Sequence, residues 1–565
     1  MESLSEWEKE IPAPRFIRGP YGRLRAAGGR LFRSPVFIVA VLAAVLLIAL
    51  LLRLDAAQRL VIALGSRAKG RPLNGEVWHG RFERWGLALV ANPAFILFLL
   101  YVARTFLCPE SRRKSFDIVF LCATYAAWFV FTGYTALRHE PWMDELMVYI
   151  KARDMSLAGL LADVKVDGNF ALWSILISLF AKAGFPAGIL TCVSFALCAA
   201  LVLLFLLKSP FPVYEKAAFI FTTAASYHYP VVARPYVLFA LLTFLLASLW
   251  EKRRSHPVLT GILIALMAHT HLYAEGFVGI LMLYILVSDI ILPWKLLGAG
   301  EKKRRLAGLA AAFVGVLLAA VLVVPALWTV KGLVTSQAGR MNLNLKCFFS
   351  NWIWENPSVS GLPVILVLLA LLVRLFFLNR GMLVIFGTAF LYMILFHVFI
   401  YNASVASRGS MWLFMLVFAF WNIGGGYSRK TSPLLLLLLI LAIHPSWNFR
   451  DWTTEYSGEK GVGQFIARNL PTEETLYING ARHVIAYVPE YKLEFFAPLF
   501  MGTDELDRRI DKLFQDTESD SLVLVMSKIK IAGFAYPASH RFDKLYESSE
   551  IMAEMYQFLV LRVYR

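Results

Sequence analysis

Long apolar runs separated by short polar or basic segments dominate the chain. A helix of about 20 apolar residues is long enough to cross the hydrocarbon core of a membrane. Runs that approach or reach this length occupy thirteen stretches, namely 34–52, 87–107, 116–137, 186–207, 217–233, 235–250, 257–273, 275–293, 306–327, 362–379, 381–401, 411–425 and 432–444. The pattern therefore predicts an α-helical polytopic membrane protein with about thirteen transmembrane helices.

The end of the chain has a different pattern, in which short apolar segments alternate with charged ones. Helical spacing is found at 458–469 and near 504–515. Strand-like runs are found at 475–480, 484–488, 521–528 and 557–564. Alternation of these two patterns is typical of a small α/β domain, which we predict for residues 445–565.

Composition agrees with the membrane interpretation. Hydrophobic residues make up 58% of the chain and charged residues 17%, against roughly 45–50% and about 25% in soluble proteins. The mean hydropathy is +0.61. These values exclude an ordinary soluble enzyme, a disordered chain and a nucleic-acid-binding module. The net charge of +17 is therefore attributed to cytoplasmic loops rather than to a nucleic-acid partner, and membrane lipids are expected as partners.

The distribution of charge predicts the orientation. Basic segments at 104–114, 250–255, 301–305 and 427–430 alternate along the chain as cytoplasmic loops do. Residues 1–33 are arginine-rich and predicted to be cytoplasmic, whereas residues 451–565 carry a net charge of −5 and are predicted to be extracytoplasmic. The arginine-rich loop 53–86 departs from the rule. A bacterial inner membrane is the expected location.

This orientation divides the membrane region into two parts. Residues 34–115 are predicted to form two N-terminal helices joined by an outer loop, and residues 116–444 to form the main transmembrane module. Within that module the long outer loops are 138–185 and 328–361. Residues 169–183 are apolar but short, and are predicted to form an interfacial or partly inserted helix.

Three acids follow the third predicted span, in the segment RHEPWMDELMVYIKARD (138–154). They are Glu140, Asp144 and Glu145, and the first two are four residues apart, so on a helix they share one face. Carboxyl groups at a low-dielectric boundary are candidates for general bases. The alternative is a solvated loop with ordinary acids.

Several cations are predicted on the same outer side. Arg234 lies between two apolar spans, where a phosphate is a natural partner for a guanidinium fork. The alternative is an arginine that extends to the interface from a helix end. Lys331 and Arg340 in loop 328–361, together with Arg408 after another span, suit an anionic lipid headgroup.

A further polar cluster is AHTHLYAEGF (268–277), which contains His269, His271, Tyr273 and Glu275. It indicates either a water-filled cavity or helix packing. The two histidines are two residues apart, so a regular helix cannot aim both at one metal, although an unwound segment could. The five cysteines form no CxxC pair and support neither a zinc site nor a disulfide framework.

Together these segments resemble the GT-C superfamily of polytopic membrane glycosyltransferases, and most closely its protein O-mannosyltransferase-like and aminoarabinose-transferase-like branch. The resemblance covers most of 116–444, and the matching motifs occur in the same order. The motifs are the acid pair Asp144–Glu145, a glycine-led segment from Gly168 to Trp173, the element Arg234–Pro235–Tyr236 and the element Thr270–His271–Leu272–Tyr273. Asn169–Phe170 departs from the usual proline-containing turn.

The resemblance implies a mechanism. A sugar would pass from a polyprenyl-phosphate donor to a glycan, lipid or protein acceptor on the extracytoplasmic face, with inversion at the anomeric carbon. Asp144 would act as general base and Arg234 would stabilise the leaving phosphate, while Glu145 would orient the acceptor or bind a metal. No metal is assigned, although a divalent ion is compatible. The expected substrate-binding residues are Glu140, Gly168, Trp173, Arg234, Tyr236, His269, His271, Tyr273, Lys331, Arg340 and Arg408.

Two other classes of function are compatible with a polytopic chain. A transporter or lipid flippase would bind its substrate near the bilayer midplane and often shows internal repeats. We find no repeat, and the ionisable residues gather at predicted outer helix ends. A non-catalytic membrane scaffold is the third class, and an intact Asp144 argues against it.

Overall fold

The computed structural model divides the chain into two compact units, Met1–Phe120 and Leu121–Arg565. The predicted spans 34–52 and 87–107 lie outside the described residues, as does most of loop 53–86. The structure describes residues 113–167, 170–329, 348, 357–400, 406–424, 433–444, 446–453, 456–480, 482–497, 503–517, 519–528, 539–548 and 557–565, with the isolated positions 59, 62, 63 and 66.

In the described parts of the apolar region up to residue 444, the regular elements are all helices. Its helices are α1 (Arg113–Arg138), α2 (Met143–Asp154), α3 (Leu157–Asp167), α4 (Ala171–Ala181), α5 (Ile189–Lys208), α6 (Val213–Ile220), α7 (Tyr236–Leu249), α8 (Pro257–Ala268), α9 (Glu275–Ile285), α10 (Ala299–Thr329), α11 (Pro357–Leu378), α12 (Arg380–Phe399), α13 (Met411–Trp421) and α14 (Pro433–Leu441).

Five helical segments among the described residues are long and apolar enough to cross a membrane. They are Lys114–Arg138, Ile189–Lys208, Leu272–Ile291, Ala299–Pro325 and Arg380–Phe399. The other predicted spans from 116 onward also coincide with helices, most of which are shorter. The total of thirteen spans stays a prediction.

Two predicted spans contain breaks that the hydropathy pattern does not reveal. The span 217–233 consists of α6 followed by a π-helical turn at Ala224–His228. The span 275–293 consists of α9 followed by a π-helical turn at Leu286–Ile291. π-helical turns often occur at functional sites, and the turn at 224–228 leads directly to Arg234.

The basic run 301–305 was predicted to be a loop, but it forms the first turns of α10. Three arginines from this end of the bundle meet one buried acid. Arg253 Nε and Nη2 donate to the two carboxylate oxygens of Asp289 at 2.7 and 2.9 Å, and Arg254 Nε donates to the same carboxylate at 2.8 Å. Arg305 donates to the Asp289 carbonyl. This charged cluster lies at the opposite end of α7 and α8 from Arg234.

Helices α8 and α10 approach closely through glycines. A Cβ atom on Gly261 would overlap the carbonyl oxygen of Gly308, and a Cβ on Gly308 would overlap the carbonyl of Pro257. Further along, a Cβ on Gly315 would overlap Ala265. Small residues at such crossings let two helix backbones pack at short range in a membrane.

We expect Gly308→Ala to destabilise this helix pair, because overpacking of a tight contact typically costs about 1–3 kcal/mol. The melting temperature of the detergent-solubilised protein should fall. Gly279→Ala is the matched control, since a Cβ there meets nothing within 4 Å and alanine favours the helix. Equal melting temperatures for the two variants would show that the crossing tolerates a methyl group.

The C-terminal segment forms an α/β domain. It begins after α15 (Ser446–Thr453) and contains α16 (Glu459–Asn469), β1 (Leu476–Asn479), β2 (Leu493–Ala497), α17 (Thr503–Thr517), β3 (Ser521–Lys528), β4 (Phe542–Glu547) and β5 (Gln557–Tyr564). The strand order is β2-β1-β3-β5-β4. Strand β1 is parallel to β2 and β3, whereas β5 is antiparallel to β3 and β4.

One helix covers each face of this sheet. Val462 and Ile466 of α16 pack against one face, together with Ile478 and Val525. On the other face, α17 buries its apolar side. Neighbouring strand residues Val523 and Leu524 accordingly belong to opposite layers, as the two-residue period of a strand requires.

The predicted elements of this domain coincide with the structure at 458–469, 475–480, 504–515, 521–528 and 557–564. The predicted strand at 484–488 is wrong, because Arg482–Ala486 forms a 3-10 helix. The outermost strands β2 and β4 were not predicted.

Candidate active site

The central contact of the site joins two predicted residues that are 90 positions apart. The Asp144 Oδ2 atom lies 2.8 Å from Arg234 Nη1. Asp144 stands in the first turn of α2, and Arg234 lies in the non-helical segment before α7. Their side chains are 34% and 12% exposed, so the carboxylate is accessible to a ligand while the guanidinium is mostly enclosed.

A second arginine joins this pair through Tyr236. Arg408 Nε donates to the Tyr236 hydroxyl at 2.9 Å, and Arg234 also forms a hydrogen bond with Tyr236. The His271 ring lies 5.0 Å from the Tyr236 ring. The structure therefore brings Asp144, Arg234, Tyr236, His271 and Arg408 together at one end of the helical bundle.

Irregular backbone makes this convergence possible. Between the π-helical turn at Ala224–His228 and α7, residues 229–235 leave the helix, and Pro235 precedes the first residue of α7. His271 is likewise extended, between α8 and the short 3-10 helix Leu272–Ala274, and its Nδ1 accepts the Tyr273 N–H at 3.1 Å. Such segments occur at membrane depth only where protein or a cavity surrounds them.

Glu145 is buried directly behind Asp144. Its Oε2 accepts the Trp142 N–H at 3.1 Å and lies 3.3 Å from His139 Nε2. Its Oε1 accepts the Ala233 N–H. Glu145 is buried and accepts hydrogen bonds through both oxygens, which orients the segments around it.

His139 connects this acid to a second one. Its Nδ1 lies 2.8 Å from Asp451 Oδ2, and the side chains of His139, Glu145 and Asp451 are fully enclosed. The Tyr227 hydroxyl also donates to Asp451 Oδ2, at 3.2 Å. Sequence analysis did not single out His139 or Asp451. The available signal was the position of His139, which comes directly after a membrane helix and just before the acids.

Glu140 lies against the C-terminal domain rather than beside Arg234. Its carboxylate is 3.4 Å from Lys460 Nζ of α16. Helix α2 also contacts the 3-10 helix Arg482–Ala486. Burial raises the pKa of the neighbouring Glu459 to about 8, and the negative charges of Glu140 and Glu145 add to this shift. The C-terminal domain is thus docked on the segment that carries Asp144.

The other predicted site residues have different contacts or lie outside the described part of the chain. Trp173 is buried in α4, and its indole N–H has no hydrogen-bond partner among the described residues. The His269 ring lies 6.3 Å from Phe170, while Tyr273 stacks on His271 at 5.5 Å. Gly168, Lys331 and Arg340 are not among the described residues.

Metal-ligating side chains do not cluster where the chain is described. No group of three or more histidine, cysteine, aspartate or glutamate side chains there is arranged to hold an ion. His269 and His271 follow the end of α8 on an unwound segment, as a shared site would require, but they face different partners.

The buried histidine and glutamate predict a pH dependence of stability. Burial lowers the pKa of His139, but Asp451 and Glu145 outweigh it and raise the pKa from 6.5 to about 10. Its contribution to stability is therefore complete below pH 6.5 and is lost as the pH rises towards 10. Glu459, with its pKa raised from 4.5 to about 8, is protonated in the folded state, and its contribution is lost between pH 4.5 and 8.

We therefore expect the melting temperature of the wild-type protein to fall between pH 8 and 10, and that of His139→Gln to fall less. Glu459→Gln should flatten the curve below pH 8 instead. His256→Gln, at an exposed position before α8, is the control and should follow the wild type. Parallel curves for wild type and His139→Gln above pH 8 would show that His139 is not charged in the fold.

Comparison with known proteins adds little at the level of sequence. No protein-family model matches the chain, and no curated protein matches it either. Among solved structures the chain is similar to ArnT from Cupriavidus metallidurans bound to undecaprenyl phosphate, with 12% sequence identity and a TM-score of 0.40. The similarity covers 80% of this chain and 98% of that one. A TM-score this low does not establish a shared fold.

The fold and the site define a class. The chain is a multi-pass α-helical membrane protein with a C-terminal α/β domain. That domain is docked on a charged site at one end of the helical bundle.

Proposed function

We propose that the chain is an integral-membrane glycosyltransferase that moves a sugar from a polyprenyl-phosphate donor to an acceptor on the extracytoplasmic face. The observation that carries this proposal is the contact between Asp144 and Arg234. Arg408 lies beside this pair, because Arg234 and Arg408 both form a hydrogen bond with Tyr236. A partly exposed carboxylate beside two partly buried arginines offers a base and an anion site next to each other.

The charges favour a phosphate as the ligand. Arg234 and Arg408 carry two positive charges around Tyr236, and Asp144 offsets one of them. An arriving phosphate would meet two guanidinium groups, in a setting where solvent screens weakly. In the resting protein Asp144 occupies Arg234. A phosphate that binds Arg234 would displace the Asp144 carboxylate from it, and the carboxylate would then face the acceptor.

The reaction then needs one displacement. Asp144 accepts the proton of an acceptor hydroxyl while the hydroxyl oxygen attacks the anomeric carbon. The bond between that carbon and the phosphate oxygen breaks, and the electron pair leaves on the phosphate. Arg234 and Arg408 stabilise the polyprenyl phosphate anion as its charge develops. Attack from the face opposite the leaving group inverts the anomeric configuration.

The two ends of the bundle differ in a way that supports the proposed orientation. Tyr236 at the start of α7 belongs to the site, whereas Arg253 and Arg254 follow the other end of that helix and bind Asp289. Lysines and arginines concentrate on the cytoplasmic side of membrane proteins. The basic end is therefore assigned to the cytoplasm and the end with Asp144 to the outside.

Reconstitution distinguishes a transferase from a flippase. The purified protein is placed in vesicles that contain a panel of radiolabelled polyprenyl-phosphate monosaccharides, with a membrane extract as the source of acceptors. A transferase converts one donor into a glycosylated product and releases polyprenyl phosphate. Movement of labelled lipid between leaflets without any product would instead identify a flippase. A scaffold would give neither result.

A further inference from the structure

We propose that His139 and Asp451 are positioning residues, which hold Glu145 against the Ala233 amide and thereby fix the distance between Asp144 and Arg234. The segment that leads to the C-terminal domain is then part of the site and not only a tether. This inference deepens the proposed function and rests on it for its catalytic readout.

The His139 ring lies between two carboxylates. Both nitrogens of His139 face a carboxylate oxygen, at 2.8 Å from Asp451 and 3.3 Å from Glu145. An imidazole can donate to two carboxylates at once only when both nitrogens carry a proton. His139 is thus a charged bridge between two acids that are 306 positions apart in the chain.

Glu145 and Ala233 are the chain neighbours of the two reactive residues. Glu145 directly follows Asp144, and Ala233 directly precedes Arg234. The hydrogen bond from the Ala233 N–H to Glu145 Oε1 therefore runs beside the ion pair between Asp144 and Arg234. If this bond lengthens, the two reactive side chains separate with it. A misplacement of about 1 Å can cost about 10²-fold in rate.

Asp451 is anchored to the helical bundle through the helix that carries it. It belongs to α15, which packs between the end of α1 and the π-helical turn at 224–228. Asn448 Nδ2 donates to the Ser226 carbonyl at 3.1 Å and to Thr135 Oγ1 at 3.2 Å. Trp452 Nε1 donates to the same Thr135 hydroxyl at 2.9 Å. Asp451 is therefore held by the bundle and can resist movement of His139.

The surroundings argue against a purely structural purpose. Tyr227, Val231 and Val232 form an apolar cluster at this position, and Trp447 and Tyr456 pack against it. Burying two carboxylates and an imidazolium there carries a large desolvation cost, and apolar residues of similar size often stabilise a fold as well or better. A role in aligning Asp144 and Arg234 explains why a buried charged bridge lies beside them.

The test uses the full-length protein and two substitutions that keep side-chain size, His139→Gln and Asp451→Asn. Both are expected to lower turnover by about 10–100-fold, while the dissociation constant for polyprenyl phosphate changes by less than about threefold. Asp451→Glu, which restores the charge, should recover part of the turnover. Asp163→Asn is the control, because it removes an outer ion pair with Lys151 at 2.8 Å that does not touch the bridge. Wild-type turnover in both variants would overturn the proposal.

A second readout does not depend on catalysis. Amide hydrogen exchange is measured in peptides that cover 140–147 and 229–236, with β3 and β5 as internal references. The bridge predicts faster exchange in both of the first two peptides in His139→Gln and Asp451→Asn, and unchanged exchange in the strands. Exchange that stays unchanged, or that rises everywhere, would overturn it. If the wild type transfers no sugar, the proposed function fails, but this measurement still decides whether the bridge exists.

Discussion

Asp144→Asn is expected to lower sugar transfer by about 10²–10⁴-fold, the usual effect of removing a general base. The amide keeps the shape of the carboxylate but cannot accept the proton of the acceptor hydroxyl. The structure adds an expectation about binding. Asp144 competes with any phosphate for Arg234, since the two side chains are 2.8 Å apart. The variant should therefore bind polyprenyl phosphate at least as tightly as the wild type.

The measurement is a single-turnover transfer rate together with the dissociation constant for polyprenyl phosphate. Asp163→Asn serves as the control, because it makes the same chemical change in α3, the helix that follows α2, and breaks the ion pair with Lys151. Slow transfer with intact binding would assign the base. If Asp144→Asn transfers sugar at the wild-type rate, another group accepts the proton. If binding is lost together with transfer, the carboxylate has a structural role.

Arg234→Ala is expected to weaken binding of polyprenyl phosphate by about 10–150-fold, because a hydrogen bond to a charged group contributes about 1.5–3 kcal/mol. Transfer should also slow at saturating donor, since the departing phosphate loses a cation that faces its developing charge. The binding and transfer rate of Arg234→Lys should lie between those of the wild type and those of Arg234→Ala. It keeps the charge, but it loses the fork that reaches both Asp144 and Tyr236.

Binding is measured by titration with polyprenyl phosphate, and transfer by the rate at saturating donor. The control is Arg153→Ala, which removes an arginine of α2 that pairs with Asp154 at 2.7 Å and lies outside the site. Equal losses in Arg234→Ala and Arg153→Ala would indicate a nonspecific effect of surface charge. Unchanged binding in Arg234→Ala would remove this residue from the donor site.

The membrane part of the fold was predictable because bilayer thickness sets the length of an apolar run. That rule locates the ends of α5 and α12 to within three residues. It cannot locate the breaks at 224–228 and 286–291, because both π-helical turns lie within or beside apolar sequence. In the C-terminal domain the three interior strands β1, β3 and β5 are mainly apolar and were found. The edge strands β2 and β4 carry charged residues and were missed.

The site shows a similar division. Asp144 and Arg234 stand out in the sequence because a charge beside an apolar span requires a partner, and the structure supplies one within 2.8 Å. The bridge through His139 could not be predicted, because Asp451 is 312 residues away and lies in a segment with ordinary composition. The burial of Glu145 also depends on the Ala233 amide, and a backbone donor leaves no signal in a sequence.

The fate of a donor of known anomeric configuration tests the account most directly. The purified protein is supplied with the polyprenyl-phosphate sugar that it consumes, and the product is analysed by NMR together with the released lipid. The account predicts one polyprenyl phosphate for each sugar transferred, and a glycosidic bond of inverted configuration, because Asp144 activates the acceptor for a single displacement. A product of retained configuration would contradict it, since a single displacement by the acceptor must invert the anomeric carbon.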